Sequence, residues 1–238
     1  MKKWFTLIIF MLAISGTKAQ PWFDIGIKGG VGTSFMYNFQ IFDDQYLSHQ
    51  FRPGYTFGGK LGFNFIQEHQ LTFDILKSSL TQGFNYKLPD VGEKYREFGI
   101  ESLDMALMYR ANKNGTYFEV GPQWSKVSKV KYSDEGGNFI SPLSPNELLN
   151  ESFISLAVGF GGYIVGTDNF GITTGLRINY TLTDIASESG RGINFPMLVA
   201  HDPDPTRNLS IMFVIEMNYD FGYLVSPTCG KRGKLFVF

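Results

Sequence analysis

The sequence predicts an all-β fold, an eight-stranded antiparallel up-and-down transmembrane β-barrel. Three observations predict it: an export signal, runs of about ten residues alternating apolar and polar, and connections that alternate short and long. Met1-Lys2-Lys3 gives a positive start, residues 4–14 form an almost unbroken apolar run, and Thr17-Lys18-Ala19 puts small residues where cleavage needs them. That run is too short to span a bilayer as a helix. Residues 1–19 are therefore expected to be a signal peptide, with Gln20 starting the mature chain. About 220 residues remain, enough for one barrel or sandwich or two small domains. No later stretch approaches ~18 consecutive apolar residues, which excludes helical spans.

Composition agrees. With 21 basic against 22 acidic residues there is no electrostatic footprint for nucleic acid. Aromatics at 16% and 27 glycines are high for a soluble domain. The single cysteine, Cys229, rules out an internal disulfide framework, and none follows the signal to carry a lipoprotein anchor.

Each strand follows from its alternation. In residues 23–31 the odd positions are apolar or glycine, while the even ones are Asp24, Gly26, Lys28 and Gly30. In residues 55–65, Tyr55, Phe57, Leu61, Phe63 and Phe65 oppose Thr56, Lys60 and Asn64. Residues 70–85, 95–110, 116–128 and 152–166 fit with more noise. The clearest case is 170–182, with Phe170, Ile172, Leu176, Ile178, Tyr180 and Leu182 opposing Thr173, Arg177, Asn179 and Thr181. Residues 207–221 alternate Leu209, Ile211, Phe213, Ile215, Met217, Tyr219 and Phe221 with Ser210, Glu216, Asn218 and Asp220. Eight is an even count, as closure of a bacterial barrel requires.

The connections at 67–69, 111–115 and 167–169 are tight. Those at 37–52, 87–92, 129–151 and 186–206 are longer or richer in loop residues. Short periplasmic turns and long extracellular loops give this order when both termini are periplasmic. The predicted location is the cell outer membrane. Outward aromatics should then gather in two girdles: Phe23, Phe65, Tyr109, Phe118, Phe170, Tyr219 and Phe221 on the periplasmic side, and Phe35, Tyr55, Trp124 and Tyr180 on the outer side. An aromatic soluble core is the competing explanation.

The opposite parity gives a candidate lumen charge network: Asp24, Lys28, Lys60, Asp74, Asp104, Glu119, Arg177 and Glu216. Unpaired buried charge is costly, so mixed signs imply pairing. Gly26, Gly30, Gly58, Gly62, Gly121, Gly159, Gly161 and Gly175 leave room for the long side chains. A barrel of eight strands is only just wide enough to be filled by its own side chains. A structural plug is thus favoured over a proton or solute path.

No catalytic, cofactor or metal constellation stands out, and the chain is not expected to be an enzyme. His69 falls in a turn, and His49 and His201 fall in long loops. Asp43, Asp44, Asp202 and Asp204 have the chemistry for Ca²⁺, but solvated loop charge explains them as well. Gly30-Val31-Gly32 lies within a strand and lacks the third glycine of a dinucleotide loop. Asn114-Gly115-Thr116 has the form of a glycosylation acceptor, while Asn-Gly is turn chemistry. The loop at 37–52 is aromatic (Tyr37, Phe39, Phe42, Tyr46, Phe51), suited to packing over the mouth or meeting a partner.

Three segments carry a resemblance. Phe23-Asp24-Ile25-Gly26-Ile27-Lys28-Gly29-Gly30, Tyr117-Phe118-Glu119-Val120-Gly121-Pro122-Gln123, and Arg177 with Tyr180-Thr181-Leu182-Thr183-Asp184-Ile185 resemble strands of the PorT-like outer-membrane barrels of Bacteroidota. A signal ending Ala19-Gln20 is also typical of that phylum. The resemblance implies the fold, the location and an accessory role in type IX protein secretion. It implies no catalytic residues. One departure is the end of the chain. Outer-membrane barrels usually close on an aromatic, here Phe221, yet a basic tail of residues 223–238 follows with Lys231, Arg232 and Lys234. The tail either hangs in the periplasm, the preferred reading, or its last residues mimic the insertion signal.

The expected surroundings are outer-membrane lipid and lipopolysaccharide, the barrel-insertion machinery and, by resemblance, secretion-system proteins. Two other classes stay open. A narrow channel predicts single-channel current, and a lipid-modifying enzyme predicts altered lipid that depends on His49 or His201.

Overall fold

A computed structural model describes residues 21–38, 41, 47–66, 68–88, 92–135, 144–167, 169–192, 195 and 204–223. The expected export signal, His201, Asp43, Asp44, Asp202 and the tail from residue 224 on, with Cys229, lie outside them. The strands are β1 (Trp22–Tyr37), β2 (Leu47–Gln50), β3 (Pro53–Ile66), β4 (His69–Leu88), β5 (Gly92–Lys113), β6 (Thr116–Asp134), β7 (Ser152–Gly166), β8 (Phe170–Thr181) and β9 (Arg207–Tyr223). A 3₁₀ turn at Pro145–Glu147 and a short helix α1 (Glu188–Gly192) sit in the connections.

All pairings are antiparallel, and β1 pairs with both β3 and β9 while β4 pairs with β5. Eight strands therefore close into a ring without an edge, which removes the unpaired backbone that hydrocarbon does not tolerate. The ninth, β2, is an addition within the connection expected at 37–52. It lies on β4 end to end with β3, His49 opposite Phe84 and Tyr55 opposite Ser79.

The strands reach further at one end than alternation indicated. The 87–92 connection is a hairpin end, because β4 and β5 stay in register to Leu88 and Gly92. Strand β6 runs on to Asp134, into the expected 129–151 loop. At the opposite end the connections are tight. Asn114 (φ 51°) and Gly115 (φ 79°) are both left-handed, as a two-residue hairpin turn requires, so Asn-Gly here is turn chemistry. The first and last wall strands also finish at this end, where Trp22 pairs with Tyr223.

The exterior is apolar. Ile25, Ile27, Leu61, Ile75, Leu107, Phe160 and Ile215 are all exposed, Ile27 to 53%. An apolar belt right round a closed barrel is far larger than any patch a soluble protein exposes. With charge inside and hydrocarbon-like side chains outside, the chain is a transmembrane β-barrel. At the tight-turn end of the belt Phe23, Tyr109, Phe118 and Phe170 are exposed. His69 joins them, its ring stacked between Phe65 (6.1 Å) and Tyr109 (5.8 Å).

Among the described residues the larger hydrophobic core lies beyond the belt, at the long-loop end. It joins Met36, Leu47, Phe84, Phe98, Val130, Leu149, Phe153, Ile185 and Phe195, among others. Strands β4, β5 and β6 project past the membrane band and this core fills the space between them, closing the mouth.

Candidate functional site

The lumen is layered. Its centre is an ion-pair network set up by register. Lys28 stands opposite Glu216 across β1 and β9, Lys60 opposite Asp74 across β3 and β4, and Arg110 opposite Glu119 across β5 and β6. Side chains then reach across the barrel. The Lys28 ammonium lies 2.7 Å from Asp74 and 2.9 Å from Glu216, and that of Lys60 3.0 Å from Asp24 and 2.8 Å from Glu216. Arg110 donates to both Glu216 oxygens at 2.8 Å and to Glu119 at 2.7 Å. Arg177 donates to Asp74 at 2.7 Å and Glu119 at 2.5 Å. Four cations meet four carboxylates, all buried. Balance matters because ions in low dielectric are stabilised only when each is paired and hydrogen-bonded. Neutral amides complete Asp24, which accepts from Asn64 (2.6 Å) and Gln70.

Glycines supply the room. Gly159 stands between Glu119 and Arg177 in the ladder, so Arg177 reaches Glu119 over a residue without a side chain. A Cβ there would lie 2.7 Å from Glu119 Cγ. Tyr117 lies across Gly161 and Gly175, and its ring supports the Arg110 guanidinium at 4.3 Å. At Gly121 and Gly58, as at Gly161 and Gly175, a Cβ would also strike the backbone of the neighbouring strand.

Seven of the eight residues picked out by parity, all but Asp104, meet in this network. Asp104 is buried one layer towards the capped end and is held by hydroxyls instead, from Ser78 (2.5 Å) and Ser102 (2.8 Å). Arg110, the last residue of the 95–110 run, is not among the eight, although it shares the parity of Asp104. Its parity was the available signal.

Above the network is a small chamber of about 30 Å³ lined by polar residues such as Ser102, Gln123 and Asn208 together with Leu76, Phe153 and Met212. That is room for one or two waters. Below it, at the tight-turn end, a pocket of about 120 Å³ opens beside Asp24, Lys60, Asn64 and Asp220. Over the chamber sits the apolar cap. Arg96 is fully buried in it, its guanidinium 5.6–5.8 Å from the rings of Phe84, Tyr86 and Phe98. Tyr86 and Tyr132 donate to Asp134 at 2.6 and 2.7 Å. Burial lowers the His49 pKa, favouring the neutral ring, which contacts Gln82 at 3.0 Å. His69 contacts the Tyr109 hydroxyl at 2.6 Å. The amide of Gln82 is no nucleophile, so the His49 contact is not a nucleophile–base pair. Asp204 is exposed, and among the described residues no group of three or more His, Cys, Asp or Glu is placed to hold a metal ion.

No known family profile matches the chain, and no curated protein matches it in sequence. Among solved structures it is similar to the outer membrane protein OprG of Pseudomonas aeruginosa, with 9% identity over 86% of this chain and 97% of that one and a TM-score of 0.45. It is also similar to Neisserial surface protein A, at 12% identity over 82% and 95% with a TM-score of 0.37. The N-terminal β-barrel domain of Pseudomonas aeruginosa OprF gives 12% over 85% and 100%, with a TM-score of 0.34.

Proposed function

We propose that this chain is an integral outer-membrane barrel with a structural or interaction role, both termini periplasmic and the capped end outside, and not a pore. One observation carries the reading: the charge-balanced network spans the lumen and a buried apolar core closes the mouth above it. A solute path would need mobile or water-filled space, and the chamber between the two layers holds about 30 Å³. What remains accessible is the rim, the outer face and the cap. The purified barrel in planar bilayers is expected to show no unitary current above background. Reproducible stepwise conductance would sink the reading and favour the narrow channel.

Within this role we assign the chain an accessory function in protein secretion, the role associated with the named member of the PorT-like family it resembles. Support comes from the likeness of the first, fifth and seventh wall strands to that family. Deleting the gene is expected to deplete secreted proteins from the medium while other outer-membrane barrels assemble normally. An unchanged secreted profile would exclude it. A lipid-modifying enzyme has weaker support, since the contacts of His49 and His69 are to an amide and a phenol.

A further inference from the structure

At the capped end the apolar exterior gives way, round most of the barrel, to aromatic or small residues: Phe35 on β1, Tyr55 on β3, Ser152 on β7 and Tyr180 on β8. Arg207 on β9 is tied to the Tyr180 hydroxyl at 2.8 Å. One sector differs. On β4, β5 and β6 the belt ends at Ile75, Leu103 and Trp124, and beside them Lys77, Lys126, Lys129 and Lys131 all stand exposed. Lys77 is opposite Leu103 and Leu103 opposite Lys126, so about 10 Å, two strand spacings, separates the two lysine backbones.

Strict alternation would send Lys126 and Lys129 to opposite faces. A β-bulge prevents this. Ser102 pairs with Val127 and Glu101 with Lys129, leaving Ser128 extra, its hydroxyl donating to the Glu101 carbonyl at 3.0 Å. The extra residue resets the parity, so Val130 is buried in the cap while Lys126, Lys129 and Lys131 face out. Bulges interrupt a ladder and recur where a side chain is re-aimed for use. Lys131 is engaged by Glu101 at 2.6 Å. With Glu151 beside Lys126, four lysines face two carboxylates and the sector stays positive.

Lysines that merely snorkel out of hydrocarbon have no reason to gather on three adjacent strands. Cations fixed just beyond Trp124 and Tyr55, at headgroup depth, suit the point charge of a phosphate. We infer that this sector binds the phosphate of a phosphorylated outer-leaflet glycolipid, whose acyl chains lie on Leu103 and Ile75 below. The inference rests on the capped end facing outside.

The test is native mass spectrometry of the full-length barrel in detergent with lipid A of defined phosphorylation. Wild type is expected to hold the phosphorylated form at least tenfold more tightly than the dephosphorylated form. Lys77→Gln/Lys126→Gln/Lys129→Gln is expected to lose that preference, with heat-modifiable migration showing that it folds. Lys87→Gln/Lys94→Gln, at the far hairpin, should bind like wild type. Equal binding of the two lipids by wild type overturns the inference without any variant, as does an unchanged preference in a folded triple variant. Inorganic phosphate that displaces the lipid at equal concentration overturns the lipid as ligand. The assay is blind to orientation, so its failure leaves the capped-end-outward reading to be judged by labelling on intact cells.

Discussion

Glu216→Ala is expected to lower the unfolding free energy of the refolded barrel by about 3–5 kcal/mol, the cost of leaving buried charge uncompensated. Glu216 accepts from Lys28, Lys60, Arg110 and Asn218, more partners than any other carboxylate of the network. Its removal leaves four cations against three carboxylates in a layer sealed from water on its capped side. The Arg110 fork loses both bonds at 2.8 Å to Glu216 and keeps only Glu119. Urea unfolding in detergent, followed by heat-modifiable migration, reads the loss. Ile215→Ala, one residue away but facing lipid, leaves no orphaned ion and should cost less. The double variant Glu216→Ala/Lys28→Met restores charge balance and is expected to recover part of the loss, a coupling that additive sites do not show. A Glu216→Ala barrel within about 1 kcal/mol of wild type would mean that the network is not what fills and stabilises the lumen.

Phe98→Ala is expected to cost the cap about 3–5 kcal/mol, as large-to-small changes of a fully buried aromatic do. Phe98 touches Tyr132 and Phe195 with ring centroids 4.8 Å away, meets Phe84 edge-on at 6.2 Å, and lies under Arg96. Its loss leaves a cavity at the centre of the core and takes one ring from the guanidinium. The damage is confined to the cap, because the wall below is held by continuous ladders and by the charge layer. Hydrogen exchange should therefore rise at the far ends of β4, β5 and β6 and stay slow near Asp74, Glu119 and Glu216. Conductance should remain absent, since the plug is untouched. Uniform exchange through the whole barrel would show that cap and wall are one cooperative unit and that the cap is not a separate lid.

The wall was legible in the sequence because a barrel strand has period two and its two faces meet opposite solvents. Phe57, Leu61 and Phe63 must go out and Lys60 must go in, whatever the neighbours do. The inward parity of Asp24, Lys28, Asp74, Glu119, Arg177 and Glu216 followed from the same rule. The same rule failed where the chain leaves the membrane. Past Lys126 the parity changes at a bulge, and past Ser79 and Gly99 strands β4 and β5 surround an apolar core in water, so apolar residues such as Phe84 and Phe98 turn inward. There the alternation reverses its meaning, and Lys87 to Gly92 reads as loop although the ladder persists to Leu88 and Gly92.

Pairing was equally out of reach. Parity places a charge inside but does not give its height or its partner, and these depend on the stagger between strands. Stagger puts Arg177 within reach of Glu119 across Gly159, and it puts Asp104 among serines instead of cations. The sequence by itself determined how many wall strands the chain has, which face of each meets lipid and that the interior is charged. Local patterning against two solvents suffices for those. The tertiary structure alone decided which charges meet, that a hydrophobic core closes the mouth, and that a single extra residue turns Lys126 and Lys129 to the same side. Each of these depends on contacts between strands distant in the chain, and such contacts leave no period behind.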